Sequence, residues 1–197
     1  MRVIPRAQQQ KTYGQADPNF LFSVFTTRSN ELLPGLKNSD TIANTFTGLL
    51  SRDAGNDVAS YWIRQGTLSA GPNYTIEFQP ERFSINAARL SISAPTLTSV
   101  AGFALPAINL SYTGFVAPRP GLAVDTVASA FSVLPQATTT ARSTAPGNYR
   151  IDINPGVARN YIISTSPGLM LVLPPPPPPA SCCIPRVTYT PGIQPRR

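Results

Sequence analysis

Apolar and polar residues alternate most clearly between Tyr74 and Ser93. Tyr74, Ile76 and Phe78 interleave with Thr75, Glu77 and Gln79; after Pro80-Glu81 the apolar set resumes at Phe83, Ile85, Leu90 and Ile92. A period of two gives a strand one buried and one wet face. The second run loses step between Ala87 and Ala88, as a β-bulge requires. The pattern predicts a β-hairpin closed by a short turn, in the middle of an antiparallel sheet.

Further strands are predicted over 19–27, 58–64, 97–104, 108–116 and 149–153, with a final hairpin, 161–165 and 169–173, around Ser166-Pro167-Gly168. Residues 122–134 read as a long strand or a bent pair, because Val127, Phe131 and Val133 resume after a phase slip. Residues 136–148, rich in Thr, Ser and Ala, read as an exposed loop, and the loop 65–73 precedes the first hairpin. The lone helical signature lies in 32–57, where Ile42, Phe46, Leu49 and Leu50 recur at helical spacing behind Asn38, Ser39 or Asp40 as cap. Trp62 is expected in the core. Short strands at regular spacing imply an all-β fold, an antiparallel β-sandwich with at most one short helix. The length favours one domain over two.

The ends differ from this middle. Residues 1–19 show no periodicity and a Gln8-Gln9-Gln10 run, and read as an N-terminal arm; 20–173 holds the sandwich. Residues 174–197 form a proline-rich C-terminal arm. Its rod is Pro174, Pro175, Pro176, Pro177, Pro178 and Pro179, a polyproline II segment of roughly 19 Å at about 3.1 Å per residue. Such a rod offers no N–H donors and holds itself extended, so it suits docking. Beyond it Ile184, Val187, Tyr189 and Ile193 are the apolar residues expected to land on a partner.

Composition sharpens this. Charged residues make up only 13% of the chain, against about 25% in ordinary globular domains. Faces so poor in charge fit a subunit covered by neighbours. The net charge of +7 lies at the ends: residues 12–152 hold nine basic and nine acidic side chains. A phosphate-tracking surface would place its cations on the folded domain, so nucleic acid is not the expected partner. Met1-Arg2-Val3-Ile4-Pro5 does not read as a secretory signal, and no run reaches the length of a membrane span. Cys182 and Cys183 are adjacent, and free thiols in a reducing compartment are expected.

Chemistry is sparse. The absence of histidine removes any Ser-His triad, and no phosphate-binding glycine motif occurs. Glu77 and Glu81 flank the predicted turn as a conceivable glycosidase pair, but two acids beside a turn are ordinarily solvated. Asp53, Asn56 and Asp57 lack the spacing of a calcium loop. Asn73-Tyr74-Thr75 and Asn109-Leu110-Ser111 match a glycosylation pattern, with chance the better explanation. No enzyme activity, cofactor or metal is expected.

With its strand-rich middle and two arms, the chain resembles the jelly-roll structural proteins of icosahedral virions: minor capsid, penton or cement subunits. The resemblance implies a jelly-roll-like core and arms that fasten neighbouring capsid or assembly proteins, other copies of itself included. It also implies a location in the virion after synthesis in host cytoplasm. The alternative is a receptor- or glycan-binding β-module of a fibre or adhesin, reading its ligand with the loops at 65–73 and 136–148.

Overall fold

The computed structural model describes residues 1–25, 36–117 and 123–177. Its elements fall into two series of the same order. The first runs β1 (Arg2–Pro5), β2 (Gln9–Thr12), β3 (Phe22–Phe25), α1 (Ile42–Thr45), β4 (Phe46–Thr47), β5 (Ser51–Arg52), β6 (Ser60–Arg64), β7 (Ser69–Ala70), β8 (Glu77–Phe78) and β9 (Arg82–Asn86). The second runs β10 (Ala88–Ser93), β11 (Thr96–Val100), β12 (Ser111–Thr113), α2 (Val127–Ala130), β13 (Phe131–Val133), β14 (Gln136–Thr139), β15 (Gly147–Asn154), β16 (Val157–Ala158), β17 (Tyr161–Ser166) and β18 (Gly168–Leu173). The expected all-β sandwich is present.

The sheets repeat as well. Strand order β3-β1-β8 recurs as β12-β10-β17, β2-β9-β6-β5 as β11-β18-β15-β14, and β4-β7 as β13-β16. Among the described residues no sheet mixes strands of the two series. The single sandwich expected over 20–173 is therefore two copies of one topology. Side chains keep the correspondence: Ile63 and Ile151 are fully buried, as are Phe83 and Met170. A ring pair joins β3 to β4, Phe22–Phe46 at 5.1 Å and 65°, and another joins β12 to β13, Tyr112–Phe131 at 6.2 Å and 66°, although the registers set Tyr112 at the place of Val24. Each helix is one turn closed by a capping box, Thr41 with Asn44 and Thr126 with Ser129.

Several expectations are corrected. Residues 2–5 and 9–12, placed in an arm, are strands of the sheets. β1 hides Val3 and Pro5 on one face, and that four-residue alternation is too short to stand out. The helix expected in 32–57 stops after one turn: Phe46 begins a strand, and Gly48 at φ +76° turns the chain where a Cβ would lie 2.1 Å from the Thr67 carbonyl oxygen. The phase slip in 122–134 is α2, a second helical turn where at most one was expected. Residues 136–139 pair with β15 and are no loop. Trp62 is half-buried under the Arg82 guanidinium, 3.5 Å from its ring centroid.

Neither hairpin forms. β8 and β9 lie in different sheets, and so do β17 and β18. The slip at Ala87 is the boundary between copies, not a bulge. Four pairings are parallel instead of antiparallel: β1 with β8, β2 with β9, β10 with β17 and β11 with β18. Only Pro167 separates β17 from β18, too little chain to reverse direction. The two therefore make one long strand that changes sheet at a kink, with β10–β11 alongside it. Backbone bonds continue across the kink, from Ala94 N–H to Ser166 O at 3.0 Å and from Leu169 N–H to Pro95 O at 3.3 Å. In each copy the chain enters at one end of this parallel seam and leaves at the other.

Candidate functional site at the junction of the copies

The richest polar cluster lies where the two copies meet. The apolar cluster beneath it takes Tyr13, Ile63, Phe83 and Ile85 from the first copy and Ala88, Leu90, Ile92, Phe131, Ala158 and Tyr161 from the second. Fully burying a side chain of the Leu, Ile or Phe kind contributes about 1.5–3 kcal/mol, so this shared core joins the copies firmly. A second cluster, with Ile151, Met170 and Val172, belongs to the second copy alone.

Tyr13 follows β2, its N–H bonded to Asn86 O at 2.7 Å. Its ring meets Tyr161 edge-on, centroids 5.6 Å apart at 78°. Gly14 comes next at φ +80°, and a Cβ there would sit 2.1 Å from Val116 Cγ1; the close approach of the second copy demands glycine. Tyr161 donates its hydroxyl hydrogen to Asp125 and accepts from the Val116 N–H at 3.0 Å. Burial first, then the hydrogen bond to Asp125, pushes the Tyr161 phenol far above its ordinary pKa. The same two causes, in that order, raise Tyr13. Both phenols are thus held neutral as donors.

Asn160 completes the clamp. Its Oδ1 accepts from Val58 N–H at 2.9 Å, its Nδ2 donates to Asp57 Oδ1 at 2.9 Å, and its backbone oxygen accepts from Ala88 N–H at 3.0 Å. Arg159 adds an ion pair to Asp57 at 3.5 Å, between exposed groups and therefore weak. Beside the joint Asp17 bridges Lys11 at 2.6 Å and Arg52 at 2.7 Å. Burial works to raise Asp17, yet the hydrogen bonds and charges of Arg52 and Lys11 together outweigh it and hold the carboxyl below its usual range. The open groove alongside is lined by Asp17, Phe20, Arg52 and Asp53, and its two carboxylates are already committed to arginines.

The residues singled out from sequence lie elsewhere. Pro174, Pro175, Pro176 and Pro177 follow β18 and are exposed. Pro178, Pro179, Ile184, Val187, Tyr189 and Ile193 lie outside the described residues. Glu77 is an exposed member of β8, and Glu81 accepts from the Arg82 N–H at 2.9 Å. Asp53 is engaged by Arg64 at 2.7 Å and Asp57 by Asn160. No helix among the described residues is long and apolar enough to cross a membrane. Tyr13, Asp57, Asp125, Asn160 and Tyr161 carry the joint; sequence reasoning assigned no role to four of them and weighed Asp57 only as part of a calcium loop. A self-comparison would have found most of them: Asp40-Thr41-Ile42-Ala43 returns as Asp125-Thr126-Val127-Ala128, and Asn73-Tyr74 as Asn160-Tyr161.

Two like-ordered β-units, locked through a shared core with no intervening linker, define a tandem β-module. The chain belongs to the MBG domain family, YGX type, whose model matches residues 3–84 and again 90–171. Tyr13-Gly14-Gln15 reads as such a Tyr-Gly-X tripeptide; the second copy has Ala101-Gly102-Phe103 at the corresponding place. No curated protein matches the chain.

Proposed function

We propose that the chain is a non-catalytic structural element, a stiff two-domain spacer that holds other polypeptides at a fixed separation and bears tension along its length. The observation carrying this reading is the parallel seam. In the second copy it runs over six register positions in β10–β17 and five more in β11–β18. Tension applied where the chain enters and leaves a copy slides these strands past each other, so the hydrogen bonds are loaded together. Tension across neighbouring strand ends opens them one at a time.

The terminal arm extends the same role. The proline run that begins directly after β18 supplies an extended tether, and the apolar residues beyond it are the proposed landing site on an assembly partner. The virion as that assembly rests on the resemblance of general plan alone; the family match favours a repeated structural module.

Single-molecule pulling tests the reading. Handles at residues 1 and 174 load the seams in shear, whereas handles at 103 and 174 peel the β11–β18 end open. Shear is expected to need clearly the larger force. Equal forces in the two geometries would overturn the proposal.

A further inference from the structure

The joint consists of a gripping face on the first copy, called the donor face for the domain that offers it, and a receiving or acceptor face on the second, with hydrogen bonds running both ways between them, and the repeat allows each face to be located on the other copy. The acceptor face is Asp125, Asn160 and Tyr161. Its counterpart in the first copy is Asp40, Asn73 and Tyr74, where the Tyr74 hydroxyl donates to Asp40 at 2.8 Å as Tyr161 donates to Asp125. All three acceptor residue types are therefore retained. Asn73 is exposed, whereas Asn160 is engaged by Val58 and Asp57 of the preceding copy.

The donor face is not retained. Gly102, at φ +97°, occupies the place of Gly14, and the Ala101 N–H bonds to Leu173 O at 2.8 Å as the Tyr13 N–H bonds to Asn86 O. Ala101 thus stands where Tyr13 stands. Tyr149 donates to the Ala145 carbonyl as Tyr61 donates to that of Asp57, which sets Ala145 against Asp57 and Pro146 against Val58. The aromatic edge, the carboxylate and the free N–H that grip the next copy are all missing. A Cβ added at Gly102 would meet nothing within 4 Å, and Phe103 beside it is 68% exposed.

We propose that the Asp40–Asn73–Tyr74 face is a docking site for a further MBG domain, one whose last copy keeps an unoccupied Tyr-Gly pair, and that the 101–103 end, as its side chains stand, does not grip a further copy. The pairing is directional. A second wild-type chain cannot be the occupant, because its own Tyr13-Gly14 is already covered and its outer end lacks the tyrosine and the aspartate. The inference rests on the two-copy architecture and not on the load-bearing reading, and its test reads association instead of force.

Ala101→Tyr combined with Ala145→Asp rebuilds the donor face on the outer end of the full chain. Because the double variant carries both faces, in sedimentation it is expected to give head-to-tail species of twice the chain mass and more, with wild-type chain added to the mixture able to end such a row, while wild type alone keeps the mass of one chain. Asn73→Ala or Asp40→Ala in both partners is expected to weaken that association at least tenfold. Association indifferent to both substitutions would overturn the proposal, as would none at millimolar concentration with circular dichroism unchanged. Should the double variant not fold, a second arm decides: residues 1–87 are duplicated ahead of the full chain, placing a Tyr-Gly end next to the Asp40–Asn73–Tyr74 face. Amide exchange at 74–77 is expected to slow tenfold or more there relative to the unextended chain, and an unchanged rate would overturn the inference.

Discussion

Gly14 concentrates the cost of joining two domains in one residue. It needs a left-handed backbone and also lets Val116 into the space of its missing side chain. Gly14→Ala is expected to destabilise the fold by about 1–3 kcal/mol, read as a lower denaturant midpoint; Gly102→Ala, strained but sterically open, should cost less. Tyr161→Phe removes the donor to Asp125 and should cost about 1–3 kcal/mol. The two phenols and Asp17 also set pH limits of opposite sign. Tyr161 is raised in the fold, so it keeps its proton where the unfolded chain loses it, and stability falls as pH rises above about 10. Asp17 is lowered, so its contribution is present above the unfolded value of about 3.9 and is lost as pH falls through the folded value. Thermal melts from pH 2 to 11 check both: Tyr161→Phe should flatten the alkaline limb and Asp17→Asn the acid limb.

At the level of elements, what the sequence made legible was type more often than partnership. The alternation in 74–93 correctly marks buried Phe83, Ile85, Leu90 and Ile92. Period two records which face is buried, however, and not which neighbour a strand joins, so the slip at Ala87 looked like a bulge inside one strand. Pro167 misled for the same reason: a turn dipeptide read locally was a kink between sheets. Short helices left almost no periodic trace, since a four-residue turn holds a single apolar repeat, and their caps were missed with them: Asn38, Ser39 or Asp40 was expected to cap the first, whereas Thr41 and Thr126 cap the two turns. Thr126→Ala removes the oxygen that accepts the Ser129 N–H and should cost ~1 kcal/mol; Thr41→Ala should match it in the first copy. A melting-temperature drop for one substitution without the other would count against equivalent roles for the two turns.

For the whole molecule the shared core predicts that the copies unfold as one. Trp62, the sole tryptophan, reports the first copy, while far-ultraviolet dichroism reports both. Their denaturation curves are expected to coincide. Asn160→Ala removes the clamp to Asp57 and Val58, and should separate the two curves or lower their common midpoint by about 1–3 kcal/mol of stability. The second copy fading while Trp62 fluorescence stays native, in the unmodified chain, would show that the core does not couple them. The candidate joint was invisible to a reading that took the chain once from end to end. Its residues are ordinary Tyr, Asp and Asn, and only their recurrence marks them.

One residue, Ala87, separates the last strand of the first copy from the first strand of the second, and it lies between buried Ile85 and buried Ala88. A protease that samples exposed loops finds no cleavable tether there, so limited digestion should not release the halves as separate stable fragments. Gene duplication could have produced the pair, but recombination cannot readily exchange one half for a stranger, because the incoming piece would have to bring a matching surface with it.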